Sequence, residues 1–230
     1  MDIVNSNLLF LFEWNGVRIY ITESMRTLWI VSALMIAFAV IVRVKLKKFK
    51  EIPSGFQNAV EALVEMMGGV TKGALGEKLE FLGPYFFGVF IFILVSNYIG
   101  LVPGLRPPTS DLATTMPLAI MSFILIHFCG MKMRKGSYFK EYLSPFPLFL
   151  PLNILGELAR PLSLGLRLFG NILGGLIIIQ VMYTMLPTAA RFVLPNVGHA
   201  LFDLFAGFLQ AFVFIMLSMT FIRVKSSESE

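Results

Sequence analysis

Residues 148–186 read LFLPLNILGELARPLSLGLRLFGNILGGLIIIQVMYTML, 39 residues interrupted by three charges. As one helix this run would extend about 58 Å at 1.5 Å per residue, whereas the hydrocarbon core of a bilayer is only about 30 Å thick. Such a helix must lie roughly 60° from the membrane normal, or break partway. Pro161 is the place where a break or bend is expected, because it donates no hydrogen bond to the carbonyl of Glu157. A second run, 197–222, is also longer than a perpendicular crossing needs, and the stretch from Pro187 to Pro195 supplies a turn between the two. Together they predict a tilted helical hairpin. Oblique helices need something other than lipid to pack against, which implies a large partner.

The rest of the chain agrees with a membrane protein. Of 230 residues, 57% are hydrophobic and 14% charged, against about 25% charged in soluble domains. Mean hydropathy is +0.78. Disorder, collagen-like repeats and a disulfide scaffold are excluded, and the lone Cys129 cannot form an internal bridge. Residues 1–24 lack the basic start and long apolar run of a secretory signal and are expected to lie outside. Crossings are predicted at 25–44, 81–101 and 112–131. Between the first two, 54–79 carries apolar Phe56, Val60, Leu63, Val64 and Met67 opposite Glu61 and Glu65. That stripe is too narrow for a span and suits a helix lying in the interface. Ser54 and Gln57 have capping-box spacing, and Gly68, Gly69, Gly73 and Gly76 are expected to loosen the far end. Ser110 or Asp111 is expected to cap the third crossing. The expectation is thus an all-α polytopic membrane protein of three roughly perpendicular spans, one interfacial amphipathic helix and a long tilted C-terminal helical hairpin. No 20–50-residue repeat and no inverted half-repeat is evident.

Basic residues give the orientation. If the first crossing exits into the cytoplasm, 13 of the 19 Lys and Arg fall in cytoplasmic segments, including 43–50, 132–140 and 223–225. The positive-inside rule then places the N-terminus outside and the tail 223–230 in the cytoplasm. This distribution accounts for the net charge of +5 without nucleic acid.

Charges inside the long runs carry the functional reading, since each costs at least ~2.5–3.5 kcal/mol to insert. Glu157 and Arg160 are three apart and suited to a local pair. Arg167 has no carboxylate three or four residues away on either side. Helical spacing puts Arg160, Ser163, Arg167, Gly170, Asn171 and Gly174 on one stripe of small and polar residues that admits another helix. The structural alternative is an arginine that snorkels to the interface or meets Asp203. On the last run Asp203, Gly207 and Gln210 recur at i, i+4 and i+7. With an antiparallel hairpin and Arg167 level with Gln210, Asn171 falls near Ala206 and Gly174 near Asp203. Asp203 then lies on the outer side of Arg167 and Glu157 on the cytoplasmic side, a layout for handing an ion from one acid to another past a fixed cation. His127 and Cys129 are expected to be packing residues, and His199 an interfacial histidine near proton uptake. No metal-ligand cluster, phosphate loop or nucleophile–base set is found, so no cofactor and no metal are expected.

The segment Pro161-Leu162-Ser163-Leu164-Gly165-Leu166-Arg167-Leu168-Phe169-Gly170-Asn171 resembles the signature of subunit a of F-type ATP synthases in its bacterial or plastid spelling. Leu209-Gln210-Ala211-Phe212-Val213-Phe214 is similar to that family's last-helix motif, and 97–103 and 108–112 to its second-span exit and third-span start. The likeness extends in order from about residue 25 to 222. It implies a non-enzymatic stator subunit of the bacterial cell membrane, beside a rotating c-subunit ring, with peripheral-stalk b subunits, other ATP synthase subunits and membrane lipids as partners. Ions, with protons expected, would pass through two offset half-channels. By the same resemblance Arg167 is the essential arginine, favouring the ionised ring carboxylate. Asp203, Gln210, Asn171 and Glu157 join it in translocation, and Ser163, Gly170, Gly174 and Gly207 pack against the ring. Two positions depart from the family: Leu176 stands where many bacterial relatives carry a glutamate, and Asp203 where some carry a histidine. The acid of the uptake path is therefore expected to have moved to Asp203. The competing reading is an independent secondary transporter using Glu157, Arg167 and Asp203. The absent repeat and unpaired Arg167 favour the stator.

Overall fold

The computed structural model describes residues 8–14, 17–46, 55–102, 104–135, 138, 146–191 and 193–227. Five helices among them are long and apolar enough to cross a membrane: Glu23–Lys45, Glu77–Leu101, Leu112–Arg134, Leu150–Met185 and Leu194–Ser226. They match the five predicted runs to within a few residues.

The chain opens on an element that the sequence analysis did not assign. Strands β1 (Leu8–Trp14) and β2 (Val17–Thr22) pair antiparallel, from Leu8 opposite Thr22 to Trp14 opposite Val17, with a register shift between Phe10 and Phe12. Helix α1 follows at once (Glu23–Leu46). The Thr22 hydroxyl accepts from the Met25 amide at 3.2 Å, satisfying one of the orphan N–H groups of the first turn. Glu23 at its start and Arg43 and Lys45 at its end complement the helix dipole.

Helix α2 (Phe56–Leu75) falls within the run expected to form an amphipathic helix. Ser54 lies outside the described residues. Gly68, Gly69 and Gly73 do not loosen the helix, which runs through all three and stops at Gly76, where φ is +78°. The buried stripe Met67, Thr71 and Leu75 holds that end in place, offsetting the helix cost of glycine. A 3-10 turn, Glu77–Leu82, leads into α3 (Gly83–Tyr98). The connection beyond it contains a 3-10 turn at Pro108–Ser110. Ser110 belongs to that turn, and its hydroxyl donates to the Pro107 carbonyl at 2.8 Å. Asp111, extended at φ −116°, occupies the N-cap backbone position before α4 (Leu112–Arg134).

Helix α5 (Leu150–Met185) is continuous over 36 residues with Pro161 inside it. Of the two expectations for this run, a break at Pro161 is not found and the helix is unbroken. A single turn, α6 (Thr188–Arg191), precedes α7 (Leu194–Ser226). Helix α7 is α-helical except at His199–Phe205, where it opens into π-helix.

The chain divides into two compact units. Unit 1 comprises residues 1–51, 92–111 and 171–208, and unit 2 residues 52–91, 112–170 and 209–230. In unit 1, Asn97 ties α3 to α7. Its Nδ2 donates to the Gly207 carbonyl at 2.9 Å, and its Oδ1 accepts from Thr109 Oγ1 at 2.6 Å. In unit 2, α4 and α5 meet at Gly165, where a Cβ would come within 2.9 Å of the Met116 sulfur.

Candidate functional site: an uncovered arginine and two buried carboxylates

Helix α5 buries one side against its own chain. Glu157, Pro161, Leu164, Gly165, Leu168, Ile172, Gly175 and Ile179 are all buried, and their spacing follows the helical repeat. Ser163, Arg167, Gly170 and Asn171 lie off that face and are exposed, with Arg160 and Gly174 half-buried at its margin. A Cβ added at Gly170 or Gly174 would meet nothing within 4 Å. Among the described residues the Arg167 guanidinium forms no hydrogen bond or ion pair. An apolar helix therefore carries a cation and two side-chain-free positions on a face left open among the described residues.

The acids behave differently. Glu157 and Asp203 are the only buried carboxylates among the described residues, at 7% and 8% exposure. Glu157, in unit 2, accepts from Arg160 Nη1 at 2.9 Å, the local pair expected from their spacing. It also takes Lys225 Nζ on its other oxygen at 2.6 Å, and His127 Nε2 lies 4.0 Å away. Arg160 stacks over the Phe221 ring at 5.2 Å. Sequence reading found only the Arg160 partner. Lys225 is 68 positions away and His127 had been assigned to packing, although its ring does stack on Phe123 at 3.9 Å between centroids.

Asp203 belongs to unit 1. Its Oδ2 lies 2.5 Å from His199 Nδ1, and His199 Nε2 is 3.4 Å from the Tyr183 hydroxyl. With Asp203 ionised, Nδ1 carries the proton and donates to it, leaving Nε2 to accept from Tyr183. The π-helical turn His199–Phe205 holds both residues, and such turns recur at functional sites. The sequence analysis placed His199 near proton uptake as a plain interfacial residue; its i, i+4 spacing to Asp203 was the available signal. Tyr183 was missed.

The hairpin register agrees with expectation where unit 1 permits a check. A Cβ on Gly175 would lie 3.1 Å from Phe202, and one on Gly198 3.5 Å from Ile179. Gly207 is a correction. It was expected to face a partner ring, but it is buried against Asn97, whose Cβ would be 3.3 Å from its own, so that surface is taken within the chain. Gln210 is buried and engaged, and Asn171 is exposed and engaged. No group of three His, Cys, Asp or Glu able to hold a metal ion occurs among the described residues.

Comparison with known proteins places this geometry. The family described as ATP synthase A chain matches residues 25–223. The chain is similar to ATP synthase subunit a 1 of Syntrophotalea carbinolica, at 35% identity over 91% of this chain and 86% of the relative. It is similar to ATP synthase subunit a of Solidesulfovibrio magneticus, at 39% identity over 77% and 74%. A third relative, ATP synthase subunit a of Desulfosudis oleivorans, is 36% identical over 92% of each chain. With a match to nearly its whole length and several relatives above 30% identity, this multi-pass membrane chain belongs to the ATP synthase A chain family.

Proposed function

We propose that the chain is the non-catalytic, proton-translocating membrane subunit of a rotary ATP synthase. It couples a proton gradient to ATP synthesis through two offset half-channels that face a ring of c subunits. The observation that carries this reading is the Arg167 guanidinium, intramembrane, uncovered and unpartnered among the described residues, on a face where Gly170 and Gly174 leave room for close approach. A charge in such a place needs a counter-charge supplied in trans. A ring carboxylate passing Arg167 fits, and its ionised form is favoured there.

Protons enter from outside by way of Tyr183, His199 and Asp203. They load the ring carboxylate, travel with the ring, and leave towards the cytoplasm near Glu157. Arg167 keeps the carboxylate ionised between the two paths and repels any cation that would cross directly. Ser163, Gly170 and Gly174 form the ring-facing surface, and Asn171 and Gln210 supply polar positions near the arginine. The basic-residue distribution supports an outside N-terminus and a cytoplasmic C-terminus, and the bacterial relatives support a bacterial cell membrane. Peripheral-stalk b subunits and lipid cover the remaining apolar surface.

At about 4 Å and an effective dielectric near 20, the Arg167–carboxylate attraction is worth about 4 kcal/mol, roughly three orders of magnitude in the ionised fraction. The experiment is gradient-driven ATP synthesis in vesicles containing the assembled complex. Arg167→Ala abolishes synthesis while the chain still assembles. Synthesis retained in that variant refutes the proposal, and proton transport by the purified chain alone in liposomes supports an independent transporter instead.

A further inference from the structure

The C-terminal end of α7 is anchored in a way that the half-channel reading does not require. Arg223 Nη1 donates to the Ala74 carbonyl at 3.3 Å, meeting an orphan carbonyl at the end of α2. Two residues on, Lys225 is 2% exposed, an unusual place for a lysine. Its ammonium sits on Glu157 Oε1 at 2.6 Å and 5.8 Å from the centre of the Tyr138 ring. Gly130 makes the seat possible, since a Cβ there would fall 2.7 Å from the Tyr138 ring and 3.2 Å from the Lys225 carbonyl.

Glu157 thus has both oxygens filled by charge-assisted donors. Arg160 reaches Oε2 from the same helix, three residues away, and is fixed by that spacing. His127, from α4, stands 4.0 Å from the same oxygen. Lys225 comes from another helix, near its end, on a flexible four-carbon stem. Of the two donors within 3 Å of Glu157 among the described residues, Arg160 shares its helix and Lys225 does not, so Lys225 can withdraw without disturbing α5. A proton can settle on Oε1 only when that ammonium has let go.

We propose that Lys225 is a positioning residue for proton release, a tethered cation that yields Glu157 Oε1 to an arriving proton and expels the proton on its return. The cycle balances. The carboxylate takes one proton as the ammonium moves off; when the ammonium comes back, the carboxylic acid gives that proton to water and the ion pair re-forms. The inference rests on Glu157 lying on the release path.

The test is gradient-driven ATP synthesis by the assembled complex as a function of pH on the cytoplasmic side, normalised to the amount of chain incorporated. Lys225→Gln leaves a proton on Glu157 with nothing to expel it, so synthesis fails as that side is acidified. The profile is displaced towards alkaline pH. Lys225→Arg restores the profile. On a Glu157→Gln background, Lys225→Gln moves nothing further, because the two act as one unit. A uniform fall in rate with no displacement of the profile, or a displacement that persists without Glu157, overturns the proposal and leaves Lys225 a structural anchor. If Glu157→Gln alone leaves synthesis intact at every pH, the release path itself is misassigned and the inference falls with it.

Discussion

Asp203→Asn separates the chemistry of the uptake path from its architecture. Asparagine has nearly the same shape, and its side-chain oxygen can still accept from His199 Nδ1, where Asp203 now does so at 2.5 Å. A hydrogen bond to a charged group is worth about 1.5–3 kcal/mol and a neutral one about 0.5–1.5. The structural loss is therefore on the order of 1–2 kcal/mol, too little to prevent assembly. The functional loss is larger. Asp203 is the only buried carboxylate of unit 1 among the described residues, and a positioned acid–base group contributes roughly 10²–10⁴ in rate. Gradient-driven ATP synthesis, corrected for the amount of chain in the complex, falls at least about a hundredfold. Leu176 offers the control, since it follows Gly175, which packs against Phe202 beside Asp203. Restoring an acid there, in Leu176→Glu with Asp203→Asn, recovers part of the lost synthesis. Asp203→Asn at the rate of the unaltered complex would refute the reasoning, and so would a loss fully explained by missing chain.

Three further outcomes follow from the packing. Gly165→Val, whose first added carbon would fall 2.9 Å from the Met116 sulfur, destabilises the chain by about 1–3 kcal/mol through overpacking, read as a lower thermal midpoint in detergent. Gly170→Val, where a Cβ meets nothing within 4 Å, leaves that midpoint unchanged yet weakens recovery of the assembled complex, because the added carbons enter the partner's space. Asn97→Ala takes the side-chain donor from the Gly207 carbonyl and the acceptor from the buried Thr109 hydroxyl, and costs about 1–3 kcal/mol in the same thermal assay.

What the sequence made legible is what depends on one element at a time. Span length and hydropathy follow from bilayer thickness, so the five apolar runs lie close to the five helices long and apolar enough to cross a membrane. The Arg167 stripe needed only the helical repeat, and the antiparallel register needed only one assumed level pair. The β1–β2 hairpin was equally local and was overlooked: Asn15-Gly16, a dipeptide favoured in two-residue hairpin loops, separates two runs rich in aromatic and β-branched residues. A search aimed at membrane spans passes over strands of six or seven residues.

What stayed hidden depends on pairs brought together by the fold. Nothing near Glu157 in the chain announces Lys225, and nothing near Gly207 announces Asn97, 110 positions away. The error over Gly207 has the same origin. Asp203, Gly207 and Gln210 are all buried, so the face they share is an inward one. At Gly207 the cover is Asn97, far away in sequence and in the same unit. Small residues on a membrane helix mark close approach without saying whose. Space around each absent Cβ decides that: filled at Gly165, Gly175 and Gly207, and open at Gly170 and Gly174. The open pair flanks Asn171 and follows Arg167 on α5, so the face left open among the described residues is the face that carries an unpartnered charge.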